Sequence, residues 1–191
     1  MNTLDAIAAR RSIRKFKDAP IPDESLHAIL TAATQAPSGK NRQPWRFIVV
    51  KGDKRAEMVR VMREEIAKAK ARGENVGSSE WSANVMEQAP VTIFIFNPHG
   101  MHPWLTRSIE QMFTDVVNVQ SVGAAIQNML LAAQDLGIGT LWICDVFYAY
   151  EELCNWLGEK CQMIAAVFLG YPNESPDAKP RKPVSEVTRW V

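Results

Sequence analysis

The sequence predicts an α+β chain in three layers, with helices covering both faces of a mainly antiparallel or mixed sheet. Three observations lead there. Several helical periodicities and four short apolar, strand-like runs occur in one chain. The run "VTIFIF", from Val91 to Phe96, shows no polar alternation, so it reads as a strand covered on both faces. The 191 residues, 47% hydrophobic and 23% charged, can bury a real core and carry neither an internal repeat nor a domain boundary. A single domain over residues 1–191 follows.

Along the chain, Thr3 is placed to cap a short helix with Leu4, Ile7 and Ala8 on its inner face and Arg10 and Arg11 near its end. A second helix starts at Asp23, carries Leu26, Ile29, Leu30 and Ala33 at helical spacing, and is stopped by Pro37 and Gly39. "WRFIVVKG" is a strand, and Asp53 caps a charged helix running to about Arg72; "ENVGSS" is a break. The proline-punctuated stretch "NPHGMHPWLTRS" is expected to be irregular and mobile. The longest apolar helix runs from about Asp115 to Leu136, with small residues at Gly123, Ala124 and Ala125 for close packing and Gly137 as its C-cap. "GTLWICDV" and "MIAAVFLGY" are strands either side of a short helix at Glu151–Leu157, and a proline-rich charged tail closes the chain.

Composition excludes some functions. A net charge of +1 gives no broad electrostatic basis for binding nucleic acid or a membrane, so any basic patch is local. Cys144, Cys154 and Cys161 include no CxxC pair, which argues for reduced thiols rather than a disulfide framework or zinc cluster. The N-terminus is too short and charged for a signal peptide, and no apolar run approaches the ~20 residues that span a bilayer. A cytoplasmic protein is the expectation.

Two basic clusters could carry chemistry. Arg10, Arg11 and Arg14 surround Ser12 in "ARRSIRKF"; guanidinium forks and a neighbouring hydroxyl suit a phosphate, although cations at a solvated helix end are equally ordinary. Lys179 and Arg181 sit in "AKPRKP", where prolines hold the charges at fixed spacing. The clusters could close on one phosphate monoester, which carries roughly −1.5 to −2 charges near neutrality, or the tail could be a free basic end. "LGIGTLW" lacks the third glycine of a dinucleotide fingerprint and enters a strand rather than leaving one. Ser38 lies outside any nucleophile elbow, and His27, His99 and His102 have no matching serine or cysteine signature. His99 and His102 on a loop make a poor metal site, and no metal is expected.

Read together, "RRSIRKF", "APSGKNRQPWRF", "NMLLAAQDLGIGTLW" and "LGYP" followed by "KPRKP" occur in one order. In that order the chain resembles the nitroreductase family of FMN-dependent oxidoreductases, from about Leu4 to Pro183 and most weakly over Arg55–Ala89 and Asn97–Arg107. The resemblance implies a three-layer α-β-α nitroreductase-like fold, a homodimer with FMN at the subunit interface, and a C-terminal extension packing on the partner. It implies that Arg10, Arg11 and Ser12 grip the phosphate and ribityl chain, that Arg14 lies near the flavin N1 and O2 edge, and that Lys179 and Arg181 return to the same phosphate. Pro37, Ser38, Gly39 and Asn41 match a loop that reaches the flavin of the other subunit, with Gln43 supporting it. Trp142, Ile143, Cys144 and Asp145 match the strand end that faces the ring and points backbone groups at N5.

The physical chemistry agrees with those roles. A fixed cation beside N1 and O2 favours the reduced, negatively charged flavin, and the flavin itself carries the chemistry, so no protein nucleophile or general base is needed. The resemblance implies ping-pong hydride transfer from NAD(P)H to a nitroaromatic, quinone or other activated acceptor. The alternatives are a specialised branch, reductive dehalogenation or flavin breakdown, whose lid reads charged substrate groups, and a flavin-binding protein without turnover. Cys144 and Asp145 depart from the glycine or glutamate common near N5, and an ionised Asp145 close to the ring would repel its anionic form. Trp81, Trp104, Phe113 and Tyr148 are the candidates for facing the acceptor.

Overall fold

Four strands form one antiparallel sheet in the order β1-β2-β4-β3: β1 Arg46–Lys51, β2 Val91–Asn97, β3 Gly139–Ile143 and β4 Gln162–Gly170. This computed structural model describes all 191 residues. Six helices surround the sheet: α1 Thr3–Ala9, α2 Asp23–Thr34, α3 Lys54–Ala71, α4 Ser79–Gln88, α5 Ile109–Asp135 and α6 Tyr150–Leu157. A single helical turn at Val184–Val187 lies in the tail.

Every residue of β2 is buried, and the strand shows why its sequence does not alternate. Val91, Ile93 and Ile95 enter one apolar cluster with Ile29 and Ala33 of α2 and Val122, Ile126 and Met129 of α5. Phe94 and Phe96 face the other way, into a cluster with Met58 and Met62 of α3, Met86 of α4 and Leu153 of α6. Burying one such side chain contributes about 1.5–3 kcal/mol, so a strand covered twice has no use for polar positions. The α-β-α layering is as expected, and the sheet proper is wholly antiparallel.

The helix boundaries depart from the sequence reading in four places. α1 is capped by Asn2, whose Oδ1 accepts the Asp5 N–H at 3.0 Å, rather than by Thr3. Its expected inner face is reversed: Leu4 and Ile7 are 76% and 51% exposed while Ala6 is buried. α4 was not expected at all, because Trp81, Val85 and Met86 are spread among polar residues. α5 begins six residues before Asp115, at a capping box in which Ser108 Oγ accepts the Gln111 N–H at 3.2 Å and Gln111 Oε1 accepts the Ser108 N–H at 2.8 Å. By length and composition alone α5 is long and apolar enough to cross a membrane, which the expectation of no such run did not foresee. Its second half is instead core against α2 and the sheet.

α1 ends at Ala9 and Arg10 turns to extended backbone (ψ 132), so Arg10 and Arg14 do not share a helix face. The chain runs on beside the sheet instead. Ser12 bridges Thr140 of β3 in parallel, and Phe16 bridges Pro172 antiparallel. Gly139 permits the first of these, since a Cβ there would lie 2.8 Å from Ile13 Cγ1 and push the segment off β3.

Candidate functional site

The extended run after α1 and the tail after β4 close on each other. Arg10, Arg11, Ser12 and Arg14 line one side of a cavity of ≈ 340 Å³, and Pro176, Asp177, Lys179 and Arg181 line the other. Five cations face a cavity with one carboxylate, Asp177, and none of them forms an ion pair within 4.0 Å. Burial, then Arg181, then Arg11 hold the Arg10 pKa below its ordinary value. Like charges crowded around a single unpaired carboxylate make this cavity electropositive, a field that an anion would neutralise. The arginines are also oriented: Arg11 Nη1 donates to the Ala8 and Arg10 carbonyls at 2.6 and 3.0 Å, and Arg14 Nη1 to the Ser12 carbonyl at 2.9 Å.

β3 leads to the second part. Trp142 is 41% exposed and lies beside Gly123 of α5; Ile143 is buried and Cys144 exposed. Although part of the residue meets solvent, partial desolvation of the thiol, then Asp145 beside it, raises the Cys144 pKa above its ordinary value. The Asp145 carboxylate does not stand free. Its Oδ2 accepts Ser78 Oγ at 2.7 Å and Ser82 Oγ at 2.5 Å, at the N-terminal turn of α4, where a negative charge is favoured. The Asp145 carboxylate is thereby anchored to two hydroxyls at a helix end, although its charge still reaches the neighbouring Cys144 thiol. α4 also carries Trp81, whose ring centroid lies 5.8 Å from the Arg14 guanidinium, so Arg14 is held by an aromatic face as well as by the Ser12 carbonyl.

The loop at Pro37, Ser38, Gly39 and Asn41 is not part of that cavity. It is seated on α5: Gly39 packs against Val117, and its N–H donates to Ser121 Oγ at 3.3 Å. Ser38 Oγ accepts the Gln43 N–H at 3.0 Å, so Gln43 does support the loop, through its backbone. Lys40, Asn41 and Gln43 all take positive φ (53, 53 and 48°), a concentration of left-handed backbone without glycine.

The 97–108 segment is irregular as expected but tied down by Arg107. That guanidinium donates to the carbonyls of Met101, His102, Pro103 and Leu105 at 2.9–3.2 Å and to Asp115 Oδ2 at 2.6 Å. The segment's one cation is therefore spent on its own fold. His102 packs edge-on against Tyr150 and Trp104, at 4.8 and 5.5 Å between ring centroids. The Tyr150 hydroxyl accepts the Met163 N–H at 2.9 Å, and burial pushes its pKa up to about 12. His27 is exposed and bonded to Thr31.

Sequence reasoning missed Ser78 and Ser82, the partners of Asp145, although their i, i+4 spacing puts them on one helix face. It also missed Glu174, for which no local pattern existed.

With this geometry in view, the comparisons give the class. The profile of the nitroreductase family matches residues 7–171, and the chain belongs to that family. It is 34% identical over 180 residues to a provisionally named NADH dehydrogenase/NAD(P)H nitroreductase of Archaeoglobus fulgidus, covering 91% of this chain and 87% of the relative. It is 29% identical over 193 residues to an iodotyrosine deiodinase of Thermotoga neapolitana, covering 96% and 94% of the two chains. A provisionally named nitroreductase of Desulfovibrio desulfuricans, crystallised in complex with FMN, superposes with a TM-score of 0.76 at 30% identity, over 98% of this chain and 96% of the other.

Proposed function

We propose that the protein is an FMN-dependent NAD(P)H oxidoreductase that reduces a nitroaromatic, quinone or other activated acceptor. One observation carries this reading. Two basic clusters more than 160 residues apart in sequence meet on one cavity, where no carboxylate pairs with them. FMN suits that cavity, because its phosphate supplies the missing negative charge. When bound, the flavin supplies the redox chemistry, taking hydride from NAD(P)H and giving electrons to the acceptor in alternation.

The chain's own residues bind, orient and set the field. Arg10, Arg11, Lys179 and Arg181 hold the phosphate with charge-assisted hydrogen bonds, and Ser12 adds a hydroxyl. Arg14, kept in place by Trp81 and the Ser12 carbonyl, puts fixed positive charge beside the ring. The strand end Trp142–Asp145 offers backbone groups to the ring, while the Asp145 charge is turned onto α4.

The assembly follows from what one chain leaves bare. Ile109, Met112, Phe113 and Val116 on the first half of α5 are 54–73% exposed, and Trp190 in the tail is 88% exposed. A soluble monomer rarely tolerates such a face. We place a second copy there, so that the Pro37–Asn41 loop of each chain reaches the other's flavin. The tail then packs on the partner, and a hollow of ≈ 400 Å³ between α2 and β1, lined by Leu26, Leu30 and Val49, offers apolar room for it.

A general reductase is favoured over a dehalogenating branch, because Arg107 is unavailable to read a charged substrate. The test is spectroscopic. Purified protein titrated with FMN should bind it tightly, bleach with NADPH or NADH, and recover colour on adding a nitroaromatic or quinone. Protein that takes up no FMN, or bound FMN that neither nucleotide bleaches, would sink the proposal.

A further inference from the structure

The stretch from Ser12 to Lys17 changes partners midway. The Ile13 N–H donates to the Thr140 carbonyl of β3 at 2.9 Å, in the parallel bridge. From Lys15 onward the partner is instead the segment after β4. The Lys15 carbonyl accepts the Asn173 N–H at 2.9 Å, and the Lys17 N–H donates to the Tyr171 carbonyl at 2.8 Å. The switch falls at Arg14, whose N–H is left with no backbone acceptor, and a partly buried N–H is not left orphaned without cost.

Glu174 supplies the acceptor. Its Oε1 takes the Arg14 N–H and, at 3.2 Å, the Lys15 N–H. One side chain thus stands in for the missing strand. Both arms of the anion cavity leave from this point: Arg10 to Ser12 lie just upstream of the clipped backbone, and Pro176 to Arg181 just downstream of Glu174.

We propose that Glu174 is a positioning residue that fixes the spacing between the two basic arms and so lets the site favour a phosphorylated flavin over the unphosphorylated one. The inference rests on the flavin reading above. It asks Glu174 for an acceptor oxygen, not for its charge, since a carboxylate behind five cations works against an anion in front of them. Glutamine in its place should therefore serve as well or better. Aspartate keeps the charge but withdraws the oxygen by one methylene, and should serve worse.

The test titrates full-length wild type, E174Q, E174D and E174A with FMN and with riboflavin, followed by flavin fluorescence. Losing the acceptor of two backbone donors is expected to weaken FMN binding by about tenfold or more in E174A. Riboflavin, which has no phosphate, should change by no more than about twofold, so the preference for FMN collapses. E174Q should match or exceed wild type, and E174D should fall toward E174A. FMN and riboflavin weakening together, or no change in E174A, would overturn the proposal. So would E174D outperforming E174Q, a comparison that stands even if E174A fails to fold. If wild type binds neither flavin, the flavin reading fails on its own, and thermal shift with inorganic pyrophosphate then tests the clip. Stabilisation of wild type and E174Q but not E174D or E174A supports it; equal stabilisation of all four, or of none, overturns it.

Discussion

The two halves of α5 both carry large apolar side chains, yet meet opposite fates. From Val122 to Ala133 the core-facing side chains are sealed, with Val122, Ile126 and Met129 wholly inaccessible against α2 and the sheet, while Ala124, Leu131 and Ala132 are half-buried. From Ile109 to Val117 they are bare, Ile109 at 73% and Phe113 at 69% exposure. The boundary is marked by Ser121, whose hydroxyl receives the Gly39 N–H and anchors the Pro37–Asn41 loop. Hydrophobicity states that a face must be covered, not which chain covers it. One half of this helix builds the protomer, and the other, with the loop seated on it, is the ground for the proposed dimer.

The largest test of that contrast is truncation on each side. Ile126→Ala in the sealed half should cost about 2–5 kcal/mol in chemical denaturation, since it opens a cavity in a closed core. Phe113→Ala at low protein concentration should cost less than about 0.5 kcal/mol. Equal costs would mean that the first half is not open in the single chain.

Next in size is Arg107→Ala. Asp115 and Arg107 are only 14% and 17% exposed, so losing the guanidinium strands a carboxylate and four carbonyls at the start of the bare half. A loss of about 1.5–3 kcal/mol is expected, with faster amide exchange over residues 98–108. Exchange unchanged there would show that Arg107 does not organise the segment.

Phe113→Asp combined with Val116→Asp probes the bare half directly. Charge on that face should shift the protein toward monomer in sedimentation and weaken FMN binding by at least about tenfold, without unfolding the protomer. A monomer with full FMN affinity would separate the cofactor site from the interface. The smallest effect expected is Lys40→Gly, which frees a left-handed position from its side chain and should stabilise by about 0.5–1 kcal/mol. A loss of stability would mean that the Lys40 side chain makes a contact worth more than the strain.

Much of this was legible in the sequence, for reasons that differ by residue. The unbroken apolar run Val91–Phe96 announced a strand covered twice, because burial on one face would have forced alternation. The arginines around Ser12 and the Lys179–Arg181 pair were legible as cations but read equally well as a solvated helix end and a free basic tail; only the fold puts them on one cavity. Leu4 and Ile7 misled because helical spacing identifies an apolar face but not its direction, and theirs turns outward. α4 was hidden because three of its five buried positions are Ser79, Ser82 and Ala83, small residues that hydrophobicity does not flag. Glu174 was beyond reach: its partners lie 159 and 160 residues away, and the vacancy it fills exists only once two other segments have docked.

The bare half of α5 also bears on how the protein is made. If its cover is a second copy, the last step to the native state is bimolecular, and its rate rises with chain concentration while every earlier step does not. Dilute refolding would then leave a structured but adhesive intermediate with time to meet the wrong surface. Concentrated refolding with FMN present would shorten that interval, making yield a matter of encounter rather than of stability.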